Sequence, residues 1–195
     1  AKLIKKYSKV NLKYFQKKTS IYEAMNYAIK KCDSSHYLVL GADDELTESS
    51  LISFNKKYSH LNEKIFIFDV QMNNIKKSGF FPKNSFLGAS KVVNSHSAGM
   101  IIPTKIHRYL GYYRTDLKIC SDSDIILKII NSKFKKEYVP IVLGKFSTNG
   151  ISNKNTYLVL KENYSVMIDN KFNIIIQTFI FILRIIKNLD KILLK

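Results

Sequence analysis

Short apolar segments that favour β-strands alternate with amphipathic segments that favour helices along most of this chain. The strand-like segments are 37–41 (YLVLG), 64–70 (KIFIFDV), 99–103 (GMIIP) and 138–146 (YVPIVLGKF). Helical spacing of apolar residues predicts helices over 20–31, 47–58, 105–110, 121–131 and 154–169. This alternation is typical of an α/β fold, in which helices pack on the faces of a sheet. We predict a long loop or irregular segment over residues 71–95.

The composition fits one compact unit with an appendage. The chain has 195 residues, of which 46% are hydrophobic and 24% charged, enough for one sizeable core. We predict a domain over residues 1–170 and a separate C-terminal helix over 171–195. Cys32 and Cys120 are too few for a disulfide framework and lie in no Cys/His cluster, which predicts a reduced, cytoplasmic setting and no zinc site.

The chain is strongly basic. It has 32 Lys and Arg against 15 Asp and Glu, a formal net charge of +17. Such a chain attracts anions, whether nucleic acid, acidic lipid headgroups or phosphorylated small molecules, although a lysine-rich proteome makes ordinary enzymes basic too. The lysines are scattered and no standard nucleic-acid-binding motif is present, so we expect no nucleic-acid partner. A basic nucleic-acid-binding protein remains an alternative function.

The C-terminal segment differs from the rest. Residues 174–183 (IIIQTFIFIL) contain eight apolar residues in ten, and Arg184, Lys187, Lys191 and Lys195 follow. This run is shorter than the ~20 residues of a membrane-spanning helix. Apolar residues followed by cations are typical of a helix that lies in a membrane interface. The alternative is a helix docked on the core or on a second subunit.

Two adjacent acids follow the first predicted buried strand. Asp43 and Asp44 come directly after YLVLG, and α/β sheets bind ligands beyond the carboxyl ends of their strands. Two carboxylates there can hold a divalent cation, which in turn neutralises a diphosphate. The alternative is that these acids cap the helix predicted to begin near Thr47.

Three segments, in order, resemble the inverting glycosyltransferases of family 2. They are 20–46 (SIYEAMNYAIKKCDSSHYLVLGADDEL), 95–129 (SHSAGMIIPTKIHRYLGYYRTDLKICSDSDIILKI) and 146–152 (FSTNGIS). The resemblance covers about residues 10–160. It implies a GT-A-like, Rossmann-like mixed sheet flanked by helices, and transfer of a sugar from a nucleoside-diphosphate sugar.

The resemblance also implies roles for particular residues. Asp44 falls on the acid that holds the metal ion, Mg²⁺ or Mn²⁺, and Asp43 on its neighbour near the ribose or diphosphate. Asp122 falls on the general base, and His96 on a histidine on the acceptor or diphosphate side. Without the resemblance, Asp122 is explained as the N-cap of the helix carrying Ile125, and His96 as a structural histidine.

Two further acids are candidate substrate-binding residues. Glu23 falls on the family's helix acid, but with Ser20 it also forms an S-x-x-E capping box that explains it without a ligand. Asp124 is a rival to Asp122 as the base, and is otherwise an ordinary acid in the first turn of a helix.

The resemblance lacks one feature of the family. The opening strand and turn that normally build the pocket for the nucleotide base have no counterpart here, which predicts an N-terminally incomplete domain. We expect a glycosyltransferase of cell-surface polysaccharide synthesis, with a glycan or lipid-linked acceptor. It would be cytoplasmic and peripheral at the inner membrane face, where an anionic membrane surface would be a partner. The alternative is a remnant that keeps the fold without catalysis.

Overall fold

The computed structural model describes residues 19–57, 63–79, 82–91, 93, 96–147 and 155–193. All of the first matched segment, 20–46, and all but residue 95 of 95–129 are included. Most of the predicted loop 146–152 lies outside the described residues, as does Lys195.

The described residues form a mixed sheet of six strands with seven α-helices. The strands are β1 (His36–Tyr37), β2 (Glu45–Leu46), β3 (Ile65–Met72), β4 (Ile75–Lys77), β5 (Met100–Pro103) and β6 (Lys136–Phe146). The helices are α1 (Ile21–Lys30), α2 (Glu48–Lys57), α3 (His107–Leu110), α4 (Ser121–Asn131), α5 (Thr156–Asp169), α6 (Ile174–Lys187) and α7 (Leu189–Leu193). Short 3₁₀ turns cover Pro82–Leu87, Ala89–Lys91 and Thr104–Ile106.

The strand order is β1-β5-β3-β6-β2, with β4 also paired to β3. Strands β3 and β6 are parallel and the other pairs are antiparallel. The β3–β4 hairpin turns through Asn73 and Asn74, which both have positive φ, the backbone that a tight hairpin turn requires. Strand β6 is bent, because its register against β3 shifts where Pro140 cannot donate a ladder hydrogen bond.

Strand β3 separates two apolar clusters. Its sequence IFIF places Ile65 and Ile67 in one cluster with helices α1, α4 and α5, and Phe66 and Phe68 in the other, where Phe54 of α2 covers them. Because side chains alternate along a strand, one central strand supplies both faces. The predicted α/β architecture of a mixed sheet flanked by helices is therefore confirmed.

Several local predictions need correction. The first predicted strand, 37–41, is a strand only at His36–Tyr37, although the amide of Ala98 still bonds the carbonyl of Val39 at 3.0 Å. The predicted excursion 71–95 contains β4 and two 3₁₀ turns. The tail forms two helices that break at Asn188. In the described part of the chain, no helix has both the length and the apolar character to cross a membrane.

Candidate active site

A cavity of about 370 Å³ lies at the edge of the sheet where the chain leaves β1. Helix α1, the segment 39–44, residues of 89–97, the first turns of α4 and the end of β6 build its walls. Its apolar side includes Tyr22, Met25 and Ile126. The acidic, histidine and serine side chains that line it are Asp43, Asp44, His96, Ser97, Asp122, Ser123 and Ser147.

Asp44 is the acid most firmly held at this edge. Its Oδ2 accepts a hydrogen bond from the amide of Gly41 at 3.0 Å and another from the hydroxyl of Ser97, and its Oδ1 accepts from the amide of Ser147 at 3.0 Å. A Cβ at Gly41 would lie 2.8 Å from Asp44 Oδ2, so a larger residue there would require this carboxylate to shift. The contacts tie together three chain segments, and none of these partners belongs to α2, the helix that Asp44 was alternatively expected to cap.

Asp43 stands beside it and is exposed on the cavity wall. The two neighbouring carboxylates thus differ in environment. Asp44 is partly buried and held by hydrogen bonds, whereas the side chain of Asp43 is exposed to a ligand that occupies the cavity.

Asp122 lines the same cavity from helix α4. It is the second residue of α4, whose N-cap is Cys120, so the alternative reading of Asp122 as the N-cap is wrong. Its Oδ1 accepts from the amide of Ser123 at 2.8 Å. Burial raises the pKa of the Asp122 carboxyl to about 6, and the charge of Glu162 adds to this, while hydrogen bonds from Ser123 and Tyr22 oppose it. The group is therefore mainly ionised at neutral pH, but more basic than an ordinary carboxylate.

Glu162 of α5 fixes the segment that leads into Asp122. Its buried carboxylate accepts hydrogen bonds from three successive amides, those of residues 118–120, each at 2.9 Å. Tyr22 of α1 donates to the carbonyl of Ile119 in the same segment. The approach to α4 is thus held by two other helices.

His96 is buried and belongs to an aromatic network. Its Nε2 lies 2.6 Å from the hydroxyl of Tyr113, which lies 3.0 Å from the hydroxyl of Tyr37, which in turn lies 2.8 Å from Nε2 of His107. Burial lowers the pKa of His96 to about 4, and the nearby His107 adds to this. The imidazole is therefore neutral at pH 7, and any contact it makes in the cavity is a hydrogen bond without charge. Asn26 anchors the network through two hydrogen bonds to the backbone of Tyr113.

Glu23 and Asp124 are not among the described residues that line the cavity. The Glu23 carboxylate accepts from the amide of Ser20 at 2.9 Å and completes the predicted capping box. Asp124 is buried, and its two oxygens contact Asn170 at 2.8 Å and Lys128 at 2.7 Å. Both contacts stabilise helices, and the Asp124 contacts join α4 to the end of α5.

Sequence reasoning missed Tyr22, Ser97, Tyr113 and Glu162. The apolar residues Ile21, Ala24, Met25, Ala28 and Ile29 follow the helical spacing from which α1 was predicted, but Ile21 is 59% exposed whereas Tyr22 is 5% exposed. A signal for the correct face existed, because Tyr22, Met25, Asn26 and Ile29 also follow helical spacing. The roles of Ser97 and Glu162 depend on contacts between distant segments and left no local signal.

The acids fit a divalent cation whose other ligands come from a substrate. Among the described residues, no three His, Cys, Asp or Glu side chains are grouped so that they could hold a metal ion. Magnesium, however, is commonly held by one or two carboxylates together with substrate phosphates and water. Asp43 and Asp44, which both line the cavity, carry the hard carboxylate oxygens that a site of this kind uses.

Comparison with known proteins supports the fold. No protein-family model matches the sequence, and no curated protein matches it either. Crystal structures of S. aureus TarS are similar in fold. TarS 1–349 in complex with UDP-GlcNAc matches with a TM-score of 0.61 and 16% identity, over 95% of this chain and 60% of that chain.

Two further TarS structures match with similar TM-scores and the same identity. The complex of TarS 1–349 with UDP has a TM-score of 0.58 at 16% identity, over 92% of this chain and 56% of that chain. A longer TarS structure has a TM-score of 0.59 at 16% identity, over 94% of this chain and 35% of that chain. The chain thus spans three-fifths or less of these structures. At this identity the similarity establishes architecture alone, and this architecture is a GT-A-like, glycosyltransferase-like fold.

Proposed function

We propose that this protein is an inverting glycosyltransferase. It would move a sugar from a nucleoside-diphosphate sugar to a hydroxyl group of a glycan or a lipid-linked acceptor, in the synthesis of cell-surface polysaccharide at the cytoplasmic face of the membrane. The observation that carries the proposal is the meeting of Asp43 and Asp44 with Asp122 in one cavity of a GT-A-like fold. Seventy-eight residues separate Asp44 from Asp122 (122 − 44), so only folding brings them to the same cavity.

Asp122 is the proposed general base. Its carboxylate would take the proton of the acceptor hydroxyl while that oxygen attacks the anomeric carbon. The bond between that carbon and the diphosphate oxygen breaks, and the nucleoside diphosphate leaves from the opposite face with the bonding electrons, which inverts the centre. A base works best when its pKa lies near the working pH, and a pKa of about 6 brings Asp122 closer to neutrality than an ordinary aspartate.

Asp44, with Asp43, would hold Mg²⁺ or Mn²⁺. When bound, the cation would neutralise negative charge on the departing diphosphate. The fixed frame around Asp44 supports this role, because a carboxylate already oriented by Gly41, Ser97 and Ser147 need not reorganise to receive a ligand. His96 would contribute a neutral hydrogen bond on the acceptor or diphosphate side. Glu23 and Asp124 have structural contacts that explain them, and we give them no part in the reaction.

The test separates donor binding from transfer. The first donor to try is UDP-GlcNAc, because a TarS structure contains it, followed by other nucleoside-diphosphate sugars. Titration calorimetry with Mg²⁺ or Mn²⁺ measures binding of the donor. Slow hydrolysis of the donor, in which water takes the place of the acceptor and nucleoside diphosphate is released, measures turnover without a known acceptor.

The variants give distinct expected results. Asp122→Asn should bind donor as the unmodified chain does and lose at least a hundredfold in turnover. Asp44→Asn should lose the cation-dependent part of donor binding. Asp190→Asn, at an exposed aspartate of α7, is the control and should change neither. If the unmodified chain binds no donor in the presence of either cation, it is a remnant and the proposal is wrong.

A further inference from the structure

Helix α6 turns Gln177 and Arg184 toward the protein and leaves a stripe of apolar side chains exposed, although Phe181 packs inward against Tyr164. Gln177 is 4% exposed, whereas Ile175 is 76% and Phe179 62% exposed. A surface helix of a globular protein normally buries its apolar face. Packing within the described chain therefore does not explain why these apolar side chains of α6 are exposed.

The orientation of α6 is fixed by specific contacts. Gln177 donates from Nε2 to the carbonyl of Phe86 at 2.9 Å, and Arg184 donates to the carbonyl of Leu87. Thr178 lies 2.9 Å from the hydroxyl of Tyr164 on α5. A rotation of the helix that buried the isoleucines would break these bonds and remove the donors from the carbonyls of Phe86 and Leu87.

The outward side forms a continuous apolar stripe. Residues 175, 179, 182, 183 and 186 follow one another at helical spacing i, i+4, i+7, i+8 and i+11, and each is at least 49% exposed. Leu189 and Leu193 on α7 are exposed as well. Together the stripe presents on the order of 600 Å² of apolar surface, which is at the upper end of what monomeric proteins expose. We call this surface, residues 175–193, the α6–α7 face.

Charge indicates what covers the face. Lys187 and Lys191 are exposed beside the stripe, and the whole chain carries a net charge of +17. A second copy would bring a like charge of the same size to the same surface, and the two would repel each other. A bilayer containing anionic lipid offers both an apolar layer for the isoleucines and negative headgroups for the lysines.

We propose that the α6–α7 face binds anionic membranes, with α6 lying in the plane of the headgroup region. At 14 residues, α6 is about 21 Å long, which suits a helix parallel to the surface better than one across a core of about 30 Å. This inference does not depend on the proposed reaction, since vesicle binding can be measured without substrate.

The experiment is flotation of the full chain with vesicles of phosphatidylcholine alone or with a third of phosphatidylglycerol. The test variant is Ile175→Ser with Ile182→Ser. Its matched control is Ile52→Ser with Ile75→Ser, two exposed isoleucines on α2 and β4. A charge variant, Lys187→Gln with Lys191→Gln, is compared with Lys133→Gln and Lys135→Gln, which are exposed elsewhere. Melting temperatures verify that all variants fold.

We expect binding to the anionic vesicles that weakens in high salt. It should fall at least tenfold in the Ile175/Ile182 variant and severalfold in the Lys187/Lys191 variant, with little change in either control. Absence of binding by the unmodified chain, or equal losses in test and control variants, overturns the proposal. A concentration-dependent dimer in light scattering that the Ile175/Ile182 variant abolishes would assign the face to a second copy instead, and would also overturn it.

Discussion

Replacing Asp122 by asparagine should make the protein more stable at neutral pH, although it removes the proposed base. The pKa of the Asp122 carboxyl is raised from 3.8 to about 6, chiefly by burial. Between these pH values the folded chain holds a proton that the unfolded chain has lost, so stability falls as pH rises through this window. Above it, the folded protein carries the full cost of a buried charge.

The magnitude follows from the pKa difference. At ~1.36 kcal/mol per pH unit, the interval from 3.8 to about 6 corresponds to about 3 kcal/mol. Asp122 is half-buried at a cavity wall, so solvent reduces this, and we expect a gain of about 2 kcal/mol for Asp122→Asn at pH 8. At pH 4, where the aspartate is largely protonated in the folded chain, the two proteins should differ by much less.

Urea unfolding followed by circular dichroism at pH 4 and pH 8 measures both values. Asp190→Asn serves as the control, because Asp190 is exposed on α7, and it should show no gain that depends on pH. If Asp122→Asn is no more stable than the unmodified chain at pH 8, or gains equally at pH 4, the buried-charge reasoning is refuted.

Three further outcomes follow from the same geometry. Glu162→Ala removes the acceptor of three amides and should lower the free energy of unfolding in urea by about 3–5 kcal/mol; a loss below 1 kcal/mol would contradict this. Turnover of the donor should rise with pH through an apparent pKa near 6 as Asp122 ionises. The Glu162→Gln variant should lower that apparent pKa, because the charge of Glu162 raises the pKa of Asp122. An unchanged apparent pKa would show that the charge of Glu162 does not act on Asp122. Gly41→Ala places a Cβ 2.8 Å from the Asp44 carboxylate and should weaken cation-dependent donor binding about tenfold by calorimetry, with a change in stability below about 1 kcal/mol; unchanged binding would show that the frame of Asp44 is not needed.

The parts of the fold that the sequence predicted well are those determined by local pattern. The continuous apolar run of β3 and the apolar spacing of α4 predicted both elements closely, because β3 is buried from Ile65 to Val70 and α4 buries one face. Strands β1 and β2 have two residues each. These two strands exist because β1 pairs with β5 and β2 pairs with β6. Pairing between segments that are distant in the sequence leaves no local pattern from which it could be predicted.

The candidate site shows the same division. The sequence predicted Asp43 and Asp44 directly after a strand, because α/β sheets bring such positions to one edge. In the structure β1 ends at Tyr37, and the two acids line the cavity from the segment directly before β2. The groups that orient the site could not be, since they act over long separations. Glu162 bonds amides 42–44 residues away, and Asn26 bonds Tyr113 across 87 residues. These contacts exist only once the helices have packed on the sheet.

Two departures from ordinary protein design stand out in this chain, and they lie on different elements. At the first turns of α4, Asp122 is half-buried, and burial, with a smaller contribution from the charge of Glu162, raises its pKa. On α6, the apolar side faces outward while Gln177 and Arg184 face inward. Each arrangement costs folding stability, and a sequence shaped only for stability would replace Asp122 with a neutral residue and Ile175 with a polar one. Such departures are expected where a residue serves a ligand rather than the fold. These two departures therefore support the proposed reaction site at α4 and the proposed membrane-binding surface on α6.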